Sequence, residues 1–291
     1  MTQKGKAITL LTIGTAFWGM TFAFTKEALN DIDAYSFLAF RFLLASVTLA
    51  LVFYKRLKNI NFQILYKGLL LSIPLCLAFI TQTIGLEYTS ALNAGFLTAL
   101  AIVIVPFLEA IYKRKLPSFK TLSTIGIATI GLFLITGTSI QSFNFGDLLM
   151  LLCALAFAIY IVLVSLESGK VDSILLTLVQ LVVVSLFSIL IALLNDGLNV
   201  PSSSDSWIGI VFCALFATTF MYTVQNHYQQ YLTTTTTVVI FSLEPLFAAT
   251  TAFVMLSETI TISIIGGGVL IIGSMLMSEM KFKKAIFSKS N

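Results

Sequence analysis

The stretch VVIFSLEPLFAATTAFVML, Val238–Leu256, is apolar almost throughout, yet it sets Glu244 and Pro245 side by side near its middle. Its length approaches the roughly 20 residues, each rising 1.5 Å, that a helix needs to cross a bilayer. Proline has no backbone N–H, so Pro245 frees a carbonyl one turn earlier, near Phe241. A freed carbonyl beside a carboxylate makes a polar notch at mid-span. Hydrocarbon cannot satisfy such a notch, which must therefore face protein or a water-filled cavity. Two roles stay open for Glu244. It anchors a cationic substrate group or a coupling proton in a central cavity, or it is tied to Arg41 or a backbone donor and holds the kink.

The rest of the chain has the same character. Of its 291 residues 58% are hydrophobic and only 10% charged, and the mean hydropathy is +0.99. A soluble domain carries about 25% charged residues, so this is a polytopic, all-α integral membrane protein. The net charge of +4 sits in short clusters between apolar runs rather than along one face, which argues against nucleic acid as a partner. Cys76, Cys153 and Cys213 all lie inside apolar runs and have neither metal-ligand nor disulfide spacing. The N-terminal MTQKGKAITLLTIGTAFWGMTF has a basic start, but its apolar run is too long for a signal peptide and it reads as an uncleaved first span.

Apolar runs bounded by polar residues predict ten helices, over 7–28, 34–54, 66–88, 90–112, 120–137, 146–166, 173–194, 207–229, 234–256 and 259–279. With the N-terminus inside, every lysine and arginine except Lys26 and Arg41 falls on the cytoplasmic side. Asp31, Asp33, Asp147, Asp196, Asp205 and Glu258 fall outside. That asymmetry predicts cytoplasmic N- and C-termini. Glycines recur at a nearly constant offset between the halves: Gly5 with Gly146, Gly68 with Gly209, Gly126 with Gly268, Gly131 with Gly273. The expectation is a five-helix repeat at 1–140 and a second at 141–291 with a short basic tail. An odd helix number inverts the second copy and puts a substrate site near the midplane between them.

FWGMTFAFTKEAL, FLAFRFLLA, GLEYTSALNAGFLTALAIVIVP, SLEPLFAATTAFVMLSETIT and GGGVLIIGSML, in this order and spacing, resemble the drug/metabolite transporter superfamily, specifically its EamA-type members. The resemblance covers essentially the whole chain. It implies ten helices in two inverted repeats, and a central cavity lined mainly by the first, third, fourth, sixth, eighth and ninth spans. It also implies export of amino acids or similar small amphipathic metabolites by alternating access, with import or broad multidrug export as alternatives. Two departures stand out: the basic KRKLPS after the fourth span, and Pro106, which lies deeper in its repeat than Pro245 does.

No nucleophile–base arrangement, zinc motif or phosphate-cradling loop is apparent, so an enzyme is not expected, nor any cofactor or metal. Trp18, Tyr160 and Tyr222 fall at mid-span and suit a cavity for a small amphipathic ligand; Gln82, Asn93, Thr98 and Gln225 are further candidates for its polar lining. Packing with internally satisfied polar tips is the competing role for these rings. Arg41 is too deep to lack a partner, whereas Lys26, Glu27 and Glu109 can reach a membrane surface. His227, in QNHYQQY, is either an interfacial residue or a gate. The expected partners are a small-molecule substrate and the lipid bilayer of a bacterial inner or plasma membrane. Protons are one option for a coupling ion, and monomer and homodimer are both open.

Overall fold

The computed structural model describes residues 2–136, 144–195, 197–256 and 261–279, and these are helical with short connections. In chain order the α-helices are α1 (Gln3–Ala28), α2 (Ala34–Val52), α3 (Phe62–Tyr88), α4 (Ala91–Ala99), α5 (Ala101–Lys113), α6 (Phe119–Thr136), α7 (Phe145–Glu167), α8 (Ser173–Leu194), α9 (Ser204–Phe212), α10 (Met221–Tyr228), α11 (Thr234–Phe241), α12 (Glu244–Leu256) and α13 (Ile262–Glu279). Many starts are capped by a side chain that accepts an otherwise unpaired N–H. Asp33, Asn61, Ser90, Asp172, Ser203 and Thr233 do so for α2, α3, α4, α8, α9 and α11, and Asn144 with Asp147 forms a capping box on α7. Each cap is worth about 1 kcal/mol.

Seven helices among the described residues are long and apolar enough to cross a membrane: Gln3–Ala28, Ala34–Val52, Phe62–Tyr88, Asn93–Lys113, Phe145–Glu167, Ser173–Leu194 and Ser204–Tyr231. Phe119–Ile135 and Ile262–Ser278 are shorter apolar helices. The stretch that opened the sequence reading is not one helix but two, α11 and α12, with a turn at Ser242 and Leu243. The fourth expected span is interrupted too, between α4 and α5 at Leu100, well before Pro106. The eighth span joins α9 to α10 through a π-helical segment, Cys213–Phe220. The residues expected to start the tenth span, Glu258 and the basic tail lie outside the described residues.

The helices pack as a bundle in which α3 lies along α7 and α8, α2 along α8, α1 along α12 and the α9–α10 segment, and α6 along α13. The α6–α13 crossing is close because it is made by glycine: a Cβ on Gly131 would sit 2.7 Å from the Gly267 carbonyl oxygen. Without a hydrophobic drive between helices in lipid, such backbone approach is a main source of packing energy. Large apolar side chains such as Leu51, Phe62, Ile73, Leu186 and Val269 point outward, as a lipid-facing surface requires.

Contacts group the connections on two faces. On the basic face Arg56 pairs with Asp172 at 2.9 Å and Lys67 with Glu167 at 2.6 Å, and Lys120 donates to the Ser278 carbonyl. Glu109, expected to snorkel, instead accepts from Thr234 at 2.9 Å and pairs with Lys113. On the acidic face Lys26, also expected to reach water, donates to the carbonyls of Leu86 and Thr89. These carbonyls close α3, so a cation there is favoured by both hydrogen bonding and the helix dipole. Asp31 accepts from the Ser202 hydroxyl and from the backbone N–H groups of Ser202 and Ser203, while Asp33 accepts from Asn199. This clasp ties the α1–α2 connection to the α8–α9 connection.

The Ser202 hydroxyl first, and the Ser203 N–H next, hold the Asp31 carboxyl down at about 2 against its ordinary 3.8. A depressed folded-state value means that the clasp contributes fully above the ordinary value and is lost as pH falls through the depressed one. Thermal unfolding of detergent-solubilised wild type and Asp31→Ala across pH should therefore show a constant gap at neutral pH. The gap should close between about 4 and about 2; one that closes near pH 6 means Asp31 does not carry the clasp.

Candidate functional site

The interrupted helices meet around one cavity in the middle of the bundle. Trp18 and Thr21 of α1, Arg41 of α2, Phe79 and Gln82 of α3, and Thr98 of α4 line it. So do Ile102 of α5, Phe157 and Tyr160 of α7, Tyr222 and Gln225 of α10, Phe241 of α11, Ser242 and Glu244. The cavity is small, about 40 Å³, against the roughly 10–15 Å³ that one water needs. In this conformation it has room for a few waters. Apolar clusters lie to either side. Leu11, Val105, Met221 and Val224 pack towards the basic face, and Phe22, Leu86, Ala94 and Met150 towards the acidic one.

The walls are aromatic. The Trp18 ring lies 5.0 Å from Phe241 and 5.6 Å from Tyr222, and Tyr222 is 5.7 Å from Tyr160 and 5.9 Å from Phe79, measured between centroids. Edge-to-face and tilted contacts of this kind add about 0.5–1.5 kcal/mol each beyond buried area. Trp18 is fixed by its indole N–H, which donates to the Ala217 carbonyl at 2.8 Å. Ala217 belongs to the π-helical segment, where Met221 N–H reaches back to Phe216. That wider turn alters which carbonyls remain for other partners, a common feature at functional sites.

Arg41 uses the same segment. Its Nε donates to Thr218 Oγ1 at 2.9 Å, and its guanidinium carbon lies 4.7 Å from the Phe79 ring centroid. The residue is 2% exposed, so cation–π contact and a hydrogen bond partly replace its lost hydration. Glu244 opens α12 at the helix break and keeps partial exposure on the cavity side. Among the described residues no ion pair joins Arg41 to Glu244; the tie expected as one alternative is not made, because Arg41 is held by Thr218 and Phe79 instead. The two side chains therefore face one cavity from separate helices, and neither is paired with the other.

Trp18, Tyr160, Tyr222, Glu244, Gln82, Thr98, Gln225 and Arg41 all line this cavity. Asn93 is not among the lining residues; it sits in the first turn of α4, where its N–H is capped by Ser90. His227 is exposed near the basic face, 3.3 Å from Ser173 Oγ and packed on Tyr228, away from the cavity. Phe79, Phe157 and Phe241 were missed because Phe is abundant and any of them could have faced lipid. Gln180 and Asn226, just behind the wall, were missed as well: Tyr160 Oη donates to Gln180 Oε1 at 2.8 Å, and Asn226 Nδ2 to Thr177 Oγ1 at 2.9 Å. A lone Gln inside LLTLVQLVVV was the signal available.

The model of the EamA-like transporter family matches the chain twice, over residues 5–137 and 144–280. An uncharacterized transporter of Archaeoglobus fulgidus is 30% identical over 251 residues, 86% of this chain and 78% of its own length. A second from the same organism is 27% identical over 288 residues, 96% of this chain and 99% of its own. The uncharacterized transporter YoaV of Bacillus subtilis is 23% identical over 281 residues, 93% and 95%. A solved crystal structure shares the fold with a TM-score of 0.76 and 12% identity, covering 94% of this chain and 96% of that one.

Gly19 marks where the site is most tightly set. A Cβ there would lie 2.6 Å from the Glu244 carbonyl oxygen and 2.8 Å from the Ala248 nitrogen. Both atoms are backbone and cannot swing aside, so Gly19→Ala should push the start of α12 off α1 and move the Glu244 carboxylate. A loss of roughly 1–3 kcal/mol in stability is expected from overpacking, read as a lowered unfolding temperature in detergent. An unchanged unfolding temperature in Gly19→Ala means that α12 does not rest on α1 as described.

Proposed function

The chain belongs to the EamA-like transporter family, and from that premise we propose that it is a secondary transporter that exports amino acids or similar small amphipathic metabolites. The observation that carries the substrate class is that Arg41 and Glu244 line one aromatic-walled cavity without pairing with each other. An ammonium at Glu244, a carboxylate at Arg41 and an apolar body among Trp18, Phe79, Tyr222 and Phe241 make one consistent occupant. Outward direction follows the resemblance in the sequence, as does a bacterial plasma or inner membrane.

The proposed architecture is ten spans, counting α4 with α5, α9 with α10, and α11 with α12 as one each. They form two inverted repeats, 1–140 and 141–291, with both termini and the basic face cytoplasmic. The double match of the family model supports the repeat. The interrupted helices α4–α5 and α11–α12 support it too, since they hold corresponding places in the two halves. Alternating access then consists of rocking that opens the apolar seal on one side while the other stays closed. The ties at each face are candidates to break in turn: Glu109 with Thr234 on the basic side, Lys26 with the end of α3 on the acidic side.

Intracellular and extracellular metabolites compared in cells with and without the protein test the function directly: one class of amphipathic compound should accumulate outside. In proteoliposomes Glu244→Gln, which keeps shape and hydrogen bonding but removes charge, should abolish exchange and weaken binding at least about tenfold, as expected for loss of a charged partner. Exchange that survives while pH-driven accumulation fails would make Glu244 a proton carrier instead. Wild-type behaviour in both would remove it from function.

Orientation has its own test. Single cysteines in a background lacking Cys76, Cys153 and Cys213, placed at Asp33 and at Lys115, should react with an impermeant thiol reagent from outside intact cells only at Asp33. Labelling at Lys115 would overturn the proposed topology.

A further inference from the structure

Behind the cavity wall, α7, α8 and α10 enclose a cluster of uncharged polar side chains. Gln180, Gln225, Asn226, Tyr160, Tyr222 and Thr177 are each 0% exposed. Some of their hydrogen-bonding capacity is used: Tyr160 Oη donates to Gln180 Oε1, Asn226 Nδ2 to Thr177 Oγ1, and Gln225 Nε2 to Gln229 Oε1 at 3.0 Å. Four atoms have no partner: Gln180 Nε2, Asn226 Oδ1, Gln225 Oε1 and Tyr222 Oη. Exchanging O and N within an amide changes which atom is stranded without removing the defect.

Buried polar groups are nearly always paired, so a group of stranded atoms in one place points to an occupant. Tyr222 and Gln225 line the central cavity, and Tyr160 joins it to Gln180. The stranded set holds donors and acceptors but no charge. It therefore suits a ligand group that donates and accepts at once, and it offers nothing to a hydrocarbon.

We propose that Gln180, Asn226, Gln225 and Tyr222 form an uncharged hydrogen-bonding subsite at the edge of the cavity, which selects substrates bearing a neutral amide or a similar donor–acceptor group. This deepens the amino-acid-like reading and rests on it for the rest of the substrate. Arg41 and Glu244 hold the charged head, and the subsite reads the side chain. A site built to hydrogen-bond a polar group rejects a same-shaped apolar analogue strongly, because the site's own groups are then left unpaired.

The chain has two tryptophans, and Trp207 packs against Phe40 near the acidic face. Trp207→Phe thus leaves Trp18, in the cavity wall, as the sole indole fluorophore. In that background binding can be followed on the purified full-length protein with L-asparagine and L-leucine, whose side chains share a shape and differ in hydrogen bonding. Benzamide and toluene form a second pair that lacks the charged head.

Asparagine should bind about tenfold or more tightly than leucine, and benzamide more tightly than toluene. Gln180→Leu, or Asn226→Leu where the first variant does not fold, should erase both preferences while leucine binding persists. Equal binding within both pairs in the parent protein, or preferences unchanged in the variants, would overturn the subsite and leave its stranded atoms to resident water. If benzamide binds selectively while neither amino acid binds, the amino-acid-like reading fails and the subsite stands. If none of the four ligands perturbs Trp18, both are overturned.

Discussion

The π-helical segment Cys213–Phe220 is the constraint on which the site depends. In an ordinary α-helix each interior carbonyl accepts from an N–H of its own helix. Here Ala217, in the widened turn, accepts the indole N–H of Trp18, and the hydroxyl of Thr218 beside it accepts the Nε–H of Arg41. Thr219 adds a hydroxyl bond to the Ala45 carbonyl at 3.3 Å. Three successive residues of one span thus grip α1 and α2. Two of these bonds set the ring and the charge that most shape the cavity. In a bundle surrounded by lipid, where apolar burial between helices gives little drive, polar anchors of this kind fix helix rotation.

The cavity itself exists because two more helices are interrupted. A continuous helix through Ser242 would present an unbroken wall, whereas the turn there starts α12 with Glu244 at its N-terminus. A carboxylate is favoured at a helix N-terminus, where unpaired N–H groups and the dipole are positive. The turn at Leu100 matches it across the cavity. Gly19 lets α1 lie against the α12 start with no side chain between them. The result is narrow, and apolar clusters border it on both sides. Its small size and its polar ties at the two faces support the proposed alternating access, in which few strong contacts need to be exchanged.

Much of this was legible in the chain. Twenty-residue apolar runs, charges confined to their ends and a Glu-Pro pair at mid-span are statements about solvent, and solvent acts on every residue alike. The broken helix was expected at Pro245 for a local covalent reason, the missing N–H, and the break lies two residues earlier at Leu243. The break at Leu100 was not foreseen from Pro106, because where a helix relieves a lost hydrogen bond depends on its neighbours. Lys26 and Glu109 were expected to reach water; each found a partner on another helix, which the sequence near it does not contain.

The sequence by itself determined that this chain lives in a membrane, which segments are apolar enough to be there, and that Glu244 had to avoid lipid. Those outcomes follow from composition and from one-dimensional rules of hydration and backbone chemistry. Only the tertiary structure decided that Arg41 binds Thr218 and Phe79 rather than Glu244, that Asn93 and His227 lie off the cavity, and that Gln180 lies behind its wall on Tyr160. A side chain's partner depends on helix rotation and on close approach between backbones. Both are fixed by contacts between residues far apart in the chain, as with Trp18 and Ala217, 199 positions from one another.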